Sequence, residues 1–215
     1  MRDMPEIANP WLDLPSRAPF VLPADRLAVE VFNEKLRSDH PHRIDLCAVP
    51  EPFLGPRSAQ IVVLLLNPGI GDDTEFRASL RQCYATREGS PAHPYVGSSV
   101  RWWRTLVAPL TQLVPLDVVA QRLLSIEFFP YRSKSFGCGH VRLPSQQYSF
   151  DLVRDAIDRQ ATIVIARGEQ LWRGAVPELA AYPKLFRLSN PRTASLSEAN
   201  VREGGHASIL AAIRS

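Results

Sequence analysis

Residues 61–66, Ile-Val-Val-Leu-Leu-Leu, form an unbroken apolar run that Asn67-Pro68-Gly69 closes. Side chains alternate between the two faces of a strand, so a run with no polar position needs cover on both faces. That is the pattern of a strand inside a parallel sheet. The run is also far too short for a bilayer-spanning helix, which takes about 20 apolar residues. Residues 162–166 (Thr-Ile-Val-Ile-Ala) give a similar strand before Gly168, residues 122–129 are another strand candidate stopped by Pro130, and residues 185–188 give a fourth, shorter one before Ser189-Asn190-Pro191. Helical spacing fills the intervals, over 24–38 with Leu27, Val31 and Leu36, then over 102–113, 151–160, 170–181 and from Ser197 or Ala199 to Ile213. Strands separated by helices predict an α/β fold with a mainly parallel sheet covered by helices on both faces.

Size and composition limit the rest. A chain of 215 residues, 45% hydrophobic and 22% charged, predicts one globular domain and excludes a coiled coil, a collagen-like fibre and an extended disordered protein. Residues 1–24 carry Pro5, Pro10, Pro15, Pro19 and Pro23 interleaved with Trp11, Leu12, Leu14 and Phe20. They read as an extended arm packed on the single domain of residues 25–215. No apolar stretch follows Met1, and Cys47, Cys83 and Cys138 form no CxxC pair, so the expectation is a reduced cytoplasmic monomer with no membrane, metal or cofactor. Of 25 basic residues all but Lys35, Lys134 and Lys184 are arginine. Arginine suits phosphate and base stacking, and a GC-rich genome gives the same bias.

In parallel sheets the ligand site lies beyond the carboxyl ends of the strands. Four segments fall there: 67–69, 127–132, 166–169 and 189–192. An asparagine followed by Pro-Gly has a fixed amide able to position a water, and Gly69 allows close approach of a ligand; the same residues also make an ordinary turn. Asn190-Pro191 repeats the pattern at the last strand, and two such ends in one sheet point to a shared site. Arg132-Ser133-Lys134-Ser135, flanked by Tyr131 and Phe136, reads equally as a nucleic-acid contact or a solvated loop. Asp72, Asp73 and Glu75 are alternative bases or the acidic first turn of a helix. The five histidines have no partner at ligand spacing.

These elements, in order over residues 58–213, resemble the uracil-DNA glycosylase superfamily, and most closely its mismatch-specific and single-strand-selective branches. Leu66-Asn67-Pro68-Gly69 resembles the first motif of that family, and Gly97 to Leu106, with Trp102 and Trp103, the stretch that follows it. Glu127-Phe128-Phe129-Pro130 falls where relatives carry Asn-x-x-Pro. Ile163 to Gly168 resembles the third strand, and Ser189-Asn190-Pro191-Arg192 stands at the last motif.

The resemblance implies a three-layer α/β/α sandwich around a four-stranded parallel sheet, and a DNA N-glycosylase acting on a flipped base in single- or double-stranded DNA. On it, Asn67 holds the attacking water and Asn190 donates to the departing base. Pro68, Gly69, Glu127, Phe128 and Ser189 line the base pocket. Arg132, Ser133, Lys134, Arg192 and Leu196 meet DNA, with Leu196 or Ala194 as the wedge. Two departures stand out. Arg192 replaces a small serine, and Glu127 replaces an asparagine. An ionised carboxylate only accepts hydrogen bonds. Hence the base is not plain uracil, or Glu127 is protonated in an apolar pocket, or it pairs with Arg132, or the register is shifted by one. A non-catalytic nucleic-acid-binding module and an enzyme of free nucleosides are the alternatives.

Overall fold

The computed structural model describes residues 8–70 and 100–214. Asp72, Asp73, Glu75, Cys83, His93 and the Gly97-Ser98-Ser99 stretch lie outside them. The fold is α/β, built on a mixed sheet of five strands: β1 (Phe53–Leu54), β2 (Ile61–Leu65), β3 (Leu123–Glu127), β4 (Thr162–Ile165) and β5 (Leu185–Arg187), in the order β1-β3-β2-β4-β5. Pairings β2–β3, β2–β4 and β4–β5 are parallel, and β1 runs antiparallel against β3. The mainly parallel sheet read from the residues is thus seen in β2 to β5, while the four-stranded sheet that the resemblance implies is corrected to five strands by the antiparallel β1. A two-residue strand is too short to show any hydrophobic period, which is why β1 leaves no trace in the pattern.

Every residue of β2 and β3 is buried, and alternate residues serve opposite faces. Val62, Leu64, Leu124, Ile126, Ile163 and Ile165 face one core, and Ile61, Val63, Leu65, Leu123 and Val164 face another. The first core is covered by α1 (Arg26–Glu34) and α4 (Gln146–Asp158), through Val29, Phe32, Leu152 and Val153. The second is covered by α2 (Val100–Thr111), α3 (Leu116–Arg122) and α6 (Gly205–Arg214), through Leu106, Val107, Val119 and Ile209. Burial on both faces is what an all-apolar strand demands. Trp11, Val21 and Leu22 of the proline-rich segment join the first core, and Trp11 lies 5.9 Å from the Tyr131 ring.

Several expected boundaries shift for local reasons. The helix expected over 170–181 ends early, as α5 (Glu169–Ala175), and a separate 3-10 turn begins at Pro177, whose ring and missing N–H interrupt the helix. The last helix begins only at Gly205, and Val201 instead forms an antiparallel bridge with Leu188. The α3 helix, entered from Pro115, replaces the start of the strand expected from residue 122. Gly168 takes a left-handed φ of 74° between β4 and α5, where an added Cβ would meet Leu66 Cδ1. From α5, Trp172 Nε1 donates to the Leu65 carbonyl at 2.7 Å, fixing the end of β2. No helix among the described residues is long and apolar enough to cross a membrane.

Candidate functional site

A cleft of about 300 Å³ opens beyond the carboxyl ends of β2 and β3. Asn67, Pro68 and Gly69 come to it from the end of β2, Glu127 from the end of β3, Arg167 from the end of β4, and Trp102 and Trp103 from α2. The two indoles meet edge to face, 4.7 Å between centroids, with Trp103 in the second core and Trp102 only half-buried. Trp103 is thus core and floor at once, and Trp102 is the wall.

The Asn67 amide has a defined orientation. Its Nδ2 donates to Ser133 Oγ at 2.9 Å and to the Pro68 carbonyl at 3.3 Å. Ser133 Oγ donates its own hydrogen to the Ser135 carbonyl at 2.9 Å, so toward Asn67 it acts as an acceptor. Two acceptors on one side settle which atom is nitrogen, and Oδ1 is left as an acceptor without a partner among the described residues.

Arg132 holds the floor beneath this turn. It is 3% exposed; its Nε donates to the Val49 carbonyl at 2.9 Å, Nη1 to the Gly69 carbonyl at 2.7 Å, and Nη2 to Glu51 Oε2. Glu127 therefore does not pair with Arg132; Glu51 does. Glu127 is 5% exposed and its Oε2 is buried without a hydrogen-bond partner. Burial pushes the Glu127 carboxyl well above the usual carboxylate range and the neighbouring Glu51 pushes the same way, while Arg132 and Arg167 oppose them. Burial also raises the Glu51 carboxyl, but the Arg132 guanidinium in contact with it opposes that. Of the two carboxyls, Glu127, with no cation in contact, is the one pushed further toward the protonated form.

The other expected site residues separate into two groups. Pro68 and Gly69 line the cleft with Asn67 and Glu127. Asn190 does not line it: β5 is an edge strand with β4 between it and β2. Its Oδ1 accepts from the backbone N–H groups of Arg192 at 3.0 Å and Thr193 at 3.4 Å, a local turn, and so does not reach a base in the cleft. Ser189 is exposed outside the cleft, and its Oγ accepts from Arg202 Nε. Phe128 points into the first core against Phe150 and Trp172 rather than into the cleft, because the residue after Glu127 serves the opposite face. Arg132 and Ser133 are buried and internally bonded, so neither offers its side chain to a phosphate. Leu196 and Ala194 belong to the second core, which removes both as wedge residues. Lys134 and Arg192 are exposed.

Glu51 and Arg167 complete the cleft although neither stands out in the sequence. Arg167 falls within a strand-end segment, which was its only signal; Glu51 sits in an irregular stretch before β1 and had none. Among the described residues no three His, Cys, Asp or Glu side chains group as a metal site would require. Comparison with protein-family models, with curated proteins and with solved structures returns no match to this chain.

Proposed function

We propose that the cleft binds a nucleobase and that the protein is a glycosylase-like hydrolase of the N-glycosidic bond of a modified or damaged base in DNA. The observation that carries this reading is the pairing, in one cleft, of an anchored Asn67 and a buried Glu127, whose Oδ1 and Oε2 have no partner among the described residues. A protonated carboxyl offers one donor and one acceptor side by side, as an amide does, and so can read a base edge. The glutamate then serves where the resemblance implies an asparagine. A cleft of this size lined by indoles suits a flat heterocycle.

In the proposed reaction Asn67 Oδ1 accepts a hydrogen bond from a water and aims it at C1′ of the sugar. The water oxygen bonds to C1′, the C1′–N bond breaks with its electron pair going to the base, and the water's proton ends on the base. Asn67 is too weak a base to take that proton, so its contribution is position. Arg167, not Asn190, supplies positive charge beside the departing base. The three-layer glycosylase-like architecture is part of the same proposal, supported by helices on both faces of the sheet and by the order of the motifs.

The test presents single- and double-stranded oligonucleotides carrying uracil, hypoxanthine, or hydroxymethyl- or glycosyl-cytosine, followed by alkaline scission at abasic sites. Product from one of them that Asn67→Ala abolishes supports the reading. No product from any, or full activity in Asn67→Ala, overturns it. Binding of a modified strand without product supports a second reading, a sensing module without turnover, which the removal of Asn190 from the cleft favours.

A further inference from the structure

Beside the first cleft lies another, of about 390 Å³, beyond the ends of β4 and β5. The two share Leu66 and Arg167, so they are continuous along the rim of the sheet. Three arginines line the second cleft: Arg167, Arg187 and Arg192, all exposed. Its acidic residue, Glu169, is already engaged by Arg173 Nε at 3.0 Å and by Arg187 Nη1 at 3.7 Å. Arg187 also reaches Glu203 at 3.6 Å. Among the described residues the Arg167 guanidinium makes one long hydrogen bond, from Nη2 to the Pro191 carbonyl at 3.4 Å. The Arg192 guanidinium has no hydrogen bond or ion pair among the described residues. The two clefts therefore differ in kind. The first holds two indoles, the Asn67 amide and the buried Glu127 carboxyl, with Arg132 already paired to Glu51, and the second holds cations in excess of anions.

We infer that the second cleft is a phosphate subsite, taking the phosphate of a nucleotide whose base occupies the first. This rests on the nucleobase reading of the first cleft and deepens it, since a site so divided selects a nucleotide over a free base. Guanidinium forks match phosphate oxygens in bidentate geometry, and the exposed Arg192 fork, without a partner among the described residues, is free to do so. Arg167 stands at the junction, able to face either group. A free mononucleotide and a nucleic-acid strand present the same phosphate chemistry, and the strand brings one phosphate per sugar along the rim.

The test measures binding, not turnover. Fluorescence anisotropy follows a short single-stranded oligonucleotide whose central nucleotide is a base-free tetrahydrofuran, so the first cleft need not be filled. Wild type, Arg192→Ala and the Arg187→Gln/Arg192→Ala double variant are compared over a salt series. Arg192→Ala is expected to weaken binding about tenfold at low salt and to reduce the slope of log affinity against log salt by about one, and the double variant reduces it further, by less than a second full unit because Arg187 already pairs with Glu169 and Glu203. Arg192→Lys, which keeps the charge, recovers most of the slope. A mononucleotide that competes for the site marks a free nucleotide as the source, and competition only by the strand marks nucleic acid; both support the inference. Unchanged affinity and slope in the double variant overturn it. Base excision lost in Asn67→Ala with the phosphate slope intact, or the slope lost with excision absent from the start, separates the two readings.

Discussion

The two Asn-Pro strand ends share a sequence and differ in what surrounds them. Asn67 ends the central strand, between β3 and β4, and its amide is held from a distant loop by Ser133. Asn190 follows the edge strand, and its amide oxygen closes its own turn onto Arg192 and Thr193. Each turn also has an organiser. Arg132 grips the first through the Gly69 carbonyl. Asn200 grips the second, accepting from the Asn190 N–H at 2.7 Å and donating to the carbonyls of Asn190, Thr193 and Ser195. In the centre of the sheet the neighbouring strand ends supply anchors and leave the amide oxygen free for a ligand. At the edge the second neighbour is the 200–202 segment, bridged through Leu188 and Val201, and the Asn190 amide oxygen is taken up by the backbone of its own turn.

The contrast breaks first, and most heavily, at Arg132. Arg132→Met leaves Glu51 buried without its cation and two carbonyls without a donor, an effect of about 3–5 kcal/mol on folding. Urea unfolding is the measurement. A loss below about 1 kcal/mol would mean that Glu51 takes up a proton at little cost and that the first turn does not depend on the pair. Next comes the reaction itself. Asn67→Ala is expected to lower the rate of abasic-site formation about 10²-fold or more, since misplacement of a reacting group by an ångström has that effect. Asn190→Ala should leave the rate unchanged. Equal losses in both variants would return Asn190 to the site and erase the difference between the two turns. Smaller again is Asn200→Ala, with about 2 kcal/mol lost from folding for the hydrogen bonds it removes, and no change in turnover.

How much of this was legible in the sequence follows from the range of the forces involved. The all-apolar runs of β2 and β4 and the helical spacing of residues 26–34 gave their elements directly, because burial imposes a local period. Asn67 and Glu127 were legible as strand ends for the same reason. Glu51 was not, because what brings it under the cleft is its contact with Arg132, a pairing across a long sequence separation with no local pattern. The same pairing takes Arg132 off the surface, where both a nucleic-acid contact and a solvated loop would place it. Leu196 shows the converse: the resemblance implies a wedge at Leu196 or Ala194, but the Leu196 backbone N–H donates to the Leu106 carbonyl and its side chain fills the second core. Loop residues reveal their direction only when their tertiary partners are known.

The smallest expected effect is also the sharpest test of why the central turn makes a site. Glu127→Gln replaces a carboxyl by an amide of the same shape. If Glu127 works while protonated, glutamine supplies the same donor and acceptor, and turnover near neutral pH should stay within a few-fold of wild type. If Glu127 works as an anion, the variant loses the reaction. The two proteins then part with rising pH. Burial holds the Glu127 carboxyl well above its ordinary range, so the unfolded chain releases this proton first. Between the ordinary carboxylate range and the raised folded value, the unfolded state binds fewer protons and the wild type loses stability as pH rises. Glutamine has no proton to lose. The stability of Glu127→Gln relative to wild type should therefore climb from acidic to neutral pH, read by urea unfolding at each step. A flat difference would place an ordinary ionised carboxylate in the cleft, and with it a pocket unable to donate from that position to any base.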